Sequence, residues 1–173
     1  MTLKKTSELM NLGSSIDLAD GVPAHLSVSL PLNSLDREVF VVTDIVIDME
    51  ALVEPVAAGQ DVSLIFSVNK SSTGVLTINQ PNAIGTMSRV IKTAAWMTAT
   101  TVQDNFAPHR STTGTGSDYL SIIATNDYVL SGSYVTTAGG APNRAVFVRM
   151  TGYRAQASSN VYSALIAEEL NSI

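Results

Sequence analysis

The stretch that decides the fold is residues 39–50, which read Val-Phe-Val-Val-Thr-Asp-Ile-Val-Ile-Asp-Met-Glu. Every second residue from Val41 to Met49 is apolar or threonine, whereas the residues between them include two aspartates, and this period of two is typical of a β-strand. The alternation predicts that Val41, Ile45 and Ile47 share one face and that Asp44 lies on the other. Residues 39–50 therefore predict the strongest strand in the chain.

Alternating or β-prone residues mark seven further candidate strands, and turn residues separate them. These candidates are residues 25–32, 61–68, 75–78, 87–102, 119–125, 128–135 and 144–154. Residues 61–68 and 75–78 are predicted to pair as a hairpin. Residues 119–125 and 128–135 are predicted to form a second hairpin, because the Asn-Asp pair between them favours a turn.

Helical periodicity is confined to the two ends of the chain. Residues 159–171 have a Ser/Asn start and apolar residues at helical spacing, so they predict a helix. Residues 3–12 are a weaker candidate for one or two helical turns. Eight short strands and little helix predict an all-β fold, an eight-stranded antiparallel β-sandwich. We divide the chain into an N-terminal arm (1–20), the sandwich (21–158) and a C-terminal helical extension (159–173).

Composition excludes two broad classes of protein. The chain has 173 residues, of which 45% are hydrophobic, so it has enough apolar material for a real core and is not disordered. It contains no run of 18 apolar residues, which excludes a membrane-spanning helix. Charged residues make up only 14%, against about 25% in typical soluble domains. Such a charge-poor surface favours one part of an assembly over a freely soluble enzyme.

The architecture resembles that of single jelly-roll virion proteins. The shared features are the eight strands, Ser/Thr/Gly-rich loops, missing cysteines, an irregular N-terminal arm, a C-terminal extension and an ordinary final strand at residues 145–154, Ala-Val-Phe-Val-Arg-Met-Thr-Gly-Tyr-Arg. The resemblance implies a jelly roll that serves as a self-assembling subunit of a viral capsid or virion shell. It also implies a location in the virion and contacts with copies of itself and with other virion proteins.

Charge is distributed unevenly, and it argues against a nucleic-acid-binding arm. The net charge is −5, and ten of the fifteen acidic residues precede residue 62. The first twenty residues contain Lys4 and Lys5 as their bases, and two lysines supply little affinity for a polyanion. Two interpretations of the asymmetry stay open: contacts between the acidic and basic parts of neighbouring copies, or a solvated surface with local ion pairs.

Residues capable of catalysis or metal binding are sparse. The absence of cysteine excludes disulfides and thiolate metal sites. The two histidines, His25 and His109, accompany no Gly-x-Ser-x-Gly nucleophile motif. We therefore predict no enzyme activity, no catalytic residues, no cofactor and no metal. Asp48 and Glu50 allow a weak Ca²⁺ site, but a solvated or partner-facing acidic stripe is the favoured interpretation.

An alternative function is a carbohydrate- or receptor-binding β-sandwich module, as in a phage fibre or decoration protein. It predicts exposed aromatic residues around Trp96 and the loop 104–118, with Trp96, Phe106 and Tyr119 flanking that loop. Under the first hypothesis, the terminal segments are expected to contact neighbouring subunits instead. The candidate interface residues are Leu3, Leu9, Met10, Leu12, Tyr162, Leu165, Ile166 and Leu170.

Overall fold

The structure is a computed structural model that describes residues 3–52, 59–77, 79–93, 100–108, 119–137 and 142–171. Within these ranges the chain forms ten strands, one short 3-10 turn (Ser34–Asp36) and one α-helix, α1 (Ser159–Asn171). The strands are β1 (Leu3–Lys5), β2 (Met10–Leu18), β3 (Ala24–Ser29), β4 (Glu38–Met49), β5 (Asp61–Asn69), β6 (Ala83–Thr93), β7 (Thr100–Pro108), β8 (Ser121–Ile123), β9 (Asp127–Thr136) and β10 (Arg144–Ala157).

The strands form two antiparallel sheets. In sheet A, β10 pairs along one side with β1 and β2 and along the other with β4, and β8 follows β4. Sheet B has the order β3-β9-β5-β6-β7. The pairs β2·β10, β3·β9, β4·β8 and β5·β6 are nested, so the chain resembles one long hairpin that turns between β5 and β6 and rolls into two sheets.

Apolar side chains from both sheets fill the space between them, and we call this set the main core. Tyr128, Tyr134, Phe40 and Phe66 are its largest members, and each is fully buried. The predicted all-β sandwich is confirmed, with ten strands in the described ranges where eight were expected. Burial of this much apolar surface is the main favourable term in folding.

A second, smaller cluster lies between the outer side of sheet A and α1, and we call it the outer cluster. Its buried members are Val39, Val41, Ile122, Ala124, Ala155 and Ala157. Side chains of α1 pack on these residues, so the helix covers the part of sheet A where β8 and the end of β10 lie. The helix predicted at residues 159–171 is confirmed.

A β-bulge at Thr43 reverses the two sides of β4 halfway along the strand. Val42, before the bulge, and Ile45, after it, both lie in the main core. Val41 lies in the outer cluster instead. The prediction that Val41 shares a face with Ile45 and Ile47 is therefore wrong, because one extra residue shifts the alternation by half a period.

Both predicted hairpins are wrong. β8 pairs with β4 in sheet A, whereas β9 pairs with β3 and β5 in sheet B, so the turn between β8 and β9 crosses from one sheet to the other. In the hairpin predicted from residues 61–68 and 75–78, β5 instead pairs with β6 and β9, and residues 75–77 form no strand. The predicted strand at 87–102 corresponds to parts of two paired strands, β6 and β7.

The helical interpretation of residues 3–12 is also wrong, because these residues contribute to β1 and β2. A short and poorly capped segment does not form a stable helix by itself. The long strand β10 offers it a ladder of backbone hydrogen bonds, and residues 3–18 follow the edge of β10 with a break at residues 6–9. Ile16 and Leu18 of β2 enter the main core, so this edge is part of the sandwich.

Candidate functional site

The part of sheet A beyond α1 has an outer side that no described element covers, and we call it the open face. It is formed by β2, β10 and β4 after the bulge. Its central residues are Ser15, Asp17, Val46, Asp48, Phe147 and Arg149. Phe147 is 48% exposed and Val46 is 38% exposed, although both are large apolar residues.

The strand register sets the geometry of the open face. Phe147 lies between Ser15 of β2 and Asp48 of β4 in one row across the sheet. In the next row, Arg149 lies between Gly13 and Val46. Directly opposed residues on one sheet face have Cβ atoms about 5 Å apart. The two apolar side chains are therefore diagonal neighbours within a small area of the face.

Both charge signs surround the exposed phenylalanine. Val46, Asp48, Phe147 and Arg149 line a shallow depression of about 340 Å³. The Asp48 carboxylate accepts a hydrogen bond from the backbone N–H of Met49 at 2.9 Å, which holds it in place. Phenylalanine and arginine are both enriched in protein–protein interfaces relative to the rest of the protein surface. The arrangement suits contact with another protein surface.

The eight interface residues predicted from the sequence occupy three kinds of position. Met10 and Leu12 are partly buried against the main core. Those packed on the outer cluster are Leu3, Tyr162, Leu165 and Ile166. Leu9 and Leu170 are 60% and 56% exposed. Six of the eight residues therefore pack within their own chain, and two are exposed to solvent.

A buried carboxylate fixes the end of α1 to the sandwich. Glu169 has no exposed surface, and its two carboxylate oxygens accept hydrogen bonds from the backbone N–H groups of Ala124 and Thr125 at 2.8 and 3.0 Å. Ser71 donates a hydrogen bond to the Glu169 carbonyl at 2.8 Å. These contacts connect the helix to the turn between β8 and β9 and to the segment after β5.

A second depression, of about 370 Å³, lies between α1 and β8. Its lining includes Tyr119, Ile122 and Leu165 as well as the ion pair between Lys70 and Glu168, whose nitrogen and oxygen are 3.5 Å apart. The Lys70 side chain is only 8% exposed, so its ammonium group is largely removed from water. This arrangement joins α1 to the sandwich electrostatically and leaves an apolar wall beside it.

Within the described ranges, the other residues considered for chemistry do not form a cluster. His25 is exposed on β3, and His109 lies outside the described residues, as does Trp96. Glu50 accepts a hydrogen bond from the Ala145 backbone N–H at 3.1 Å. Across the described ranges, no group of three His, Cys, Asp or Glu side chains is arranged to hold a metal ion.

One titratable group inside the sandwich has a shifted pKa. Burial raises the pKa of the Tyr128 phenol, and its hydrogen bond with the Ser14 hydroxyl partly opposes this shift. The two side-chain oxygens are 2.9 Å apart, so the contact links β2 to β9 across the main core. Its role is to hold the edge strand β2 against the opposite sheet.

The sequence of the last strand carries a local signal for the open face. Val146, Val148 and Met150 follow one another at every second position of the last strand, and all three lie in the main core. The alternate positions hold Phe147 and Arg149, an aromatic residue and an arginine on the solvent side of a strand. Phe147 is exposed next to Val46, and neighbouring exposed apolar residues with polar groups around them are typical of a contact surface.

No helix in the described part of the chain is long and apolar enough to cross a membrane. No protein-family model matches the sequence, and a comparison with curated proteins gives no significant match.

Proposed function

We propose that the chain is a structural protein, a self-assembling subunit of a viral capsid or virion shell. In this function it contacts copies of itself and other virion proteins, and it is located in the virion. The observation that carries the proposal is the open face, where Phe147 and Val46 are exposed between charges of both signs. Burial of the aromatic ring in an interface is favourable, and the charged groups around it are offset when they pair with opposite charges of the partner.

We further propose that the sandwich is a jelly roll. A jelly roll has eight strands in two sheets and two Greek keys. The support is the nested pairing of β2·β10, β3·β9, β4·β8 and β5·β6, which distributes these eight strands evenly between the sheets. In this interpretation, β1 extends the edge that β2 forms, and β7 is an addition to sheet B.

The charges of the open face suit contact with a second copy of the same surface. Arg149 and Asp48 lie on adjacent rows, and Asp44 lies one row further along β4. In a two-fold arrangement, the arginine of each copy faces acidic residues of the other, and each contact occurs twice. Identical surfaces that carry both signs can therefore attract each other, whereas a surface of one sign would repel its copy.

Replacement of Phe147 by serine tests the proposal. We expect the purified chain to associate as its concentration rises, and we expect Phe147→Ser to raise the dissociation constant about 30-fold or more, because truncation of a central aromatic residue costs about 2 kcal/mol or more. Sedimentation velocity at several concentrations measures the change, and electron microscopy of the wild-type chain shows the size of the assembly.

The matched control is Leu35→Ser, since Leu35 is 92% exposed in the 3-10 turn away from the open face. We expect this control to associate like the wild-type chain. A wild-type protein that stays monomeric at millimolar concentration would show that the chain is not a self-assembling subunit. An equal effect of both substitutions would show that the open face is not the contact surface.

A further inference from the structure

The far edge of β2 carries no partner strand among the described residues. β2 pairs with β10 along one side, and no backbone hydrogen bond from residues 10–18 to another described strand or loop lies on the other side. A nine-residue edge leaves a row of backbone N–H and C=O groups that a further strand can bind.

The other edges of the two sheets carry features that discourage pairing. β1 contains Lys4 and Lys5, and β8 is three residues long. β3 lies between Pro23 and Pro31, and β7 ends in a proline. β2 reads Met-Asn-Leu-Gly-Ser-Ser-Ile-Asp-Leu, so it carries Asp17 as its one charged residue and contains no lysine, arginine or proline. Natural sheets block exposed edges with such residues, so the unblocked edge of β2 indicates a pairing site.

We propose that β2 pairs antiparallel with β2 of a second copy, so that sheet A continues through both subunits. This inference rests on the proposed function and specifies the partner and the geometry of one contact. Two identical antiparallel strands that pair in this way are related by a two-fold axis, which gives a closed dimer.

The alternation of β2 restricts the register of the pairing. Directly opposed residues lie on the same sheet face, so core-facing residues must oppose core-facing residues of the partner. With Ser14 at the two-fold axis, all nine residues pair, and Met10 opposes the partner's Leu18. In the same register, Gly13 opposes the partner's Ser15.

Polar groups on the solvent side fit this register. Asn11 opposes the partner's Asp17 twice in the dimer. The Thr151 hydroxyl donates a hydrogen bond to Asn11 Oδ1 at 2.7 Å, which fixes the side-chain amide with Nδ2 as its donor. Asn11 Nδ2 can then donate to the carboxylate of the partner's Asp17, a charge-assisted hydrogen bond. The Ser14–Tyr128 contact at 2.9 Å holds the edge in place before the partner arrives.

The substitution Asn11→Asp tests this register. The new carboxylate has nearly the same shape and still accepts from Thr151, but it faces the partner's Asp17 and repels it at two symmetric positions. We expect the dissociation constant of the dimer to rise about tenfold in sedimentation velocity. The double variant Asn11→Asp/Asp17→Asn exchanges the two residue types and should restore wild-type association. Failure of the second substitution to rescue the first would overturn the register.

Cysteine cross-linking gives a second test, because the natural chain contains no cysteine. A Cβ at Gly13 meets nothing within 4 Å, and Ser15 is exposed, so Gly13→Cys and Ser15→Cys should both fold. A mixture of the two variants should form a disulfide between them under mild oxidation, since opposed Cα atoms lie about 5 Å apart. Each variant alone should cross-link far less, because the Cα atoms of the two identical cysteines in its dimer are more than about 7 Å apart.

The outcomes separate this inference from the proposed function. If the wild-type chain associates, but Asn11→Asp does not weaken the association and the cysteine pair forms no disulfide, the contact lies elsewhere. That result would overturn the inference, while self-assembly would stand. A wild-type chain that stays monomeric at high concentration would overturn both. Restoration by the double variant together with the disulfide in the mixture would support the edge pairing.

Discussion

Replacement of Gly152 by alanine is expected to destabilise the sandwich by about 3 kcal/mol, enough to remove much of the stability of an ordinary domain. Gly152 pairs with Val42 next to the bulge in β4. A Cβ built on Gly152 would overlap the backbone oxygen of Val41 and lie 2.6 Å from Cε1 of the Phe40 ring. The Val41 oxygen belongs to the backbone of the central strand β4, so it cannot move without disturbing the sheet. Urea unfolding followed by circular dichroism measures the effect.

Two other glycines calibrate this expectation. Gly13→Ala places its Cβ in open space and should change the free energy of unfolding by less than about 0.5 kcal/mol. Gly132→Ala meets the end of the Leu18 side chain at 2.8 Å, and because that side chain can rotate, the cost should fall between the other two. If Gly152→Ala unfolds at the same urea concentration as Gly13→Ala, the close approach of β10 to Phe40 is not a constraint on the fold.

The positions of several strands could be predicted from the sequence, but the pairing of the strands could not. β4, β5 and β10 carry period-two patterns that need no knowledge of partners, and each was expected within a few residues of its observed bounds. Pairing depends on distant segments, and the Asn-Asp turn before β9 turned out to connect two sheets rather than two paired strands. The residues of a turn determine its local backbone angles, but the direction in which the chain leaves the turn depends on tertiary packing.

The bulge at Thr43 shows how one extra residue makes the predicted faces of a strand wrong. An unbroken alternation assigns one face to every second residue, yet Val41 and Ile45 lie on opposite sides of sheet A. Both sides of β4 are apolar before the bulge, because α1 covers one of them and sheet B covers the other. The sequence indicated this only indirectly, through the four consecutive apolar residues at 39–42.

The candidate site was less predictable than the fold. Contacts of the terminal segments with neighbouring subunits stay a prediction, which was based on a short N-terminal segment that could not fold alone. Within their own chain, Leu12 and Leu165 are partly buried against the two apolar clusters. The open face depends on which part of sheet A the helix leaves uncovered, and that is a property of tertiary structure. Period-two alternation from Leu12 to Leu18 was the local signal for β2, and the helical interpretation of residues 3–12 obscured it.

Replacement of Glu169 by glutamine is expected to destabilise the chain by about 2–4 kcal/mol and to loosen α1. Both carboxylate oxygens of Glu169 accept backbone N–H groups, from Ala124 and Thr125, in a fully buried site. The glutamine amide keeps one acceptor and places its own N–H₂ group against the second backbone donor. One buried donor then lacks a partner and faces another donor, which costs more than the simple loss of a hydrogen bond.

Hydrogen exchange at two backbone amides distinguishes this anchor from a general loss of stability. In Glu169→Gln, the amides of Ala124 and Thr125 should exchange faster than those in the centre of β5, because the end of α1 separates from the β8–β9 turn before the sandwich unfolds. Leu170→Ala is the control, since Leu170 is 56% exposed on the same turn of the helix and should leave both amides protected. Unchanged protection in Glu169→Gln would mean that the apolar contacts of Leu165 and Ile166 hold α1 without the carboxylate. Faster exchange at Ala124 and Thr125 alone would establish Glu169 as the group that fixes the helix to sheet A and so determines which part of that sheet stays open.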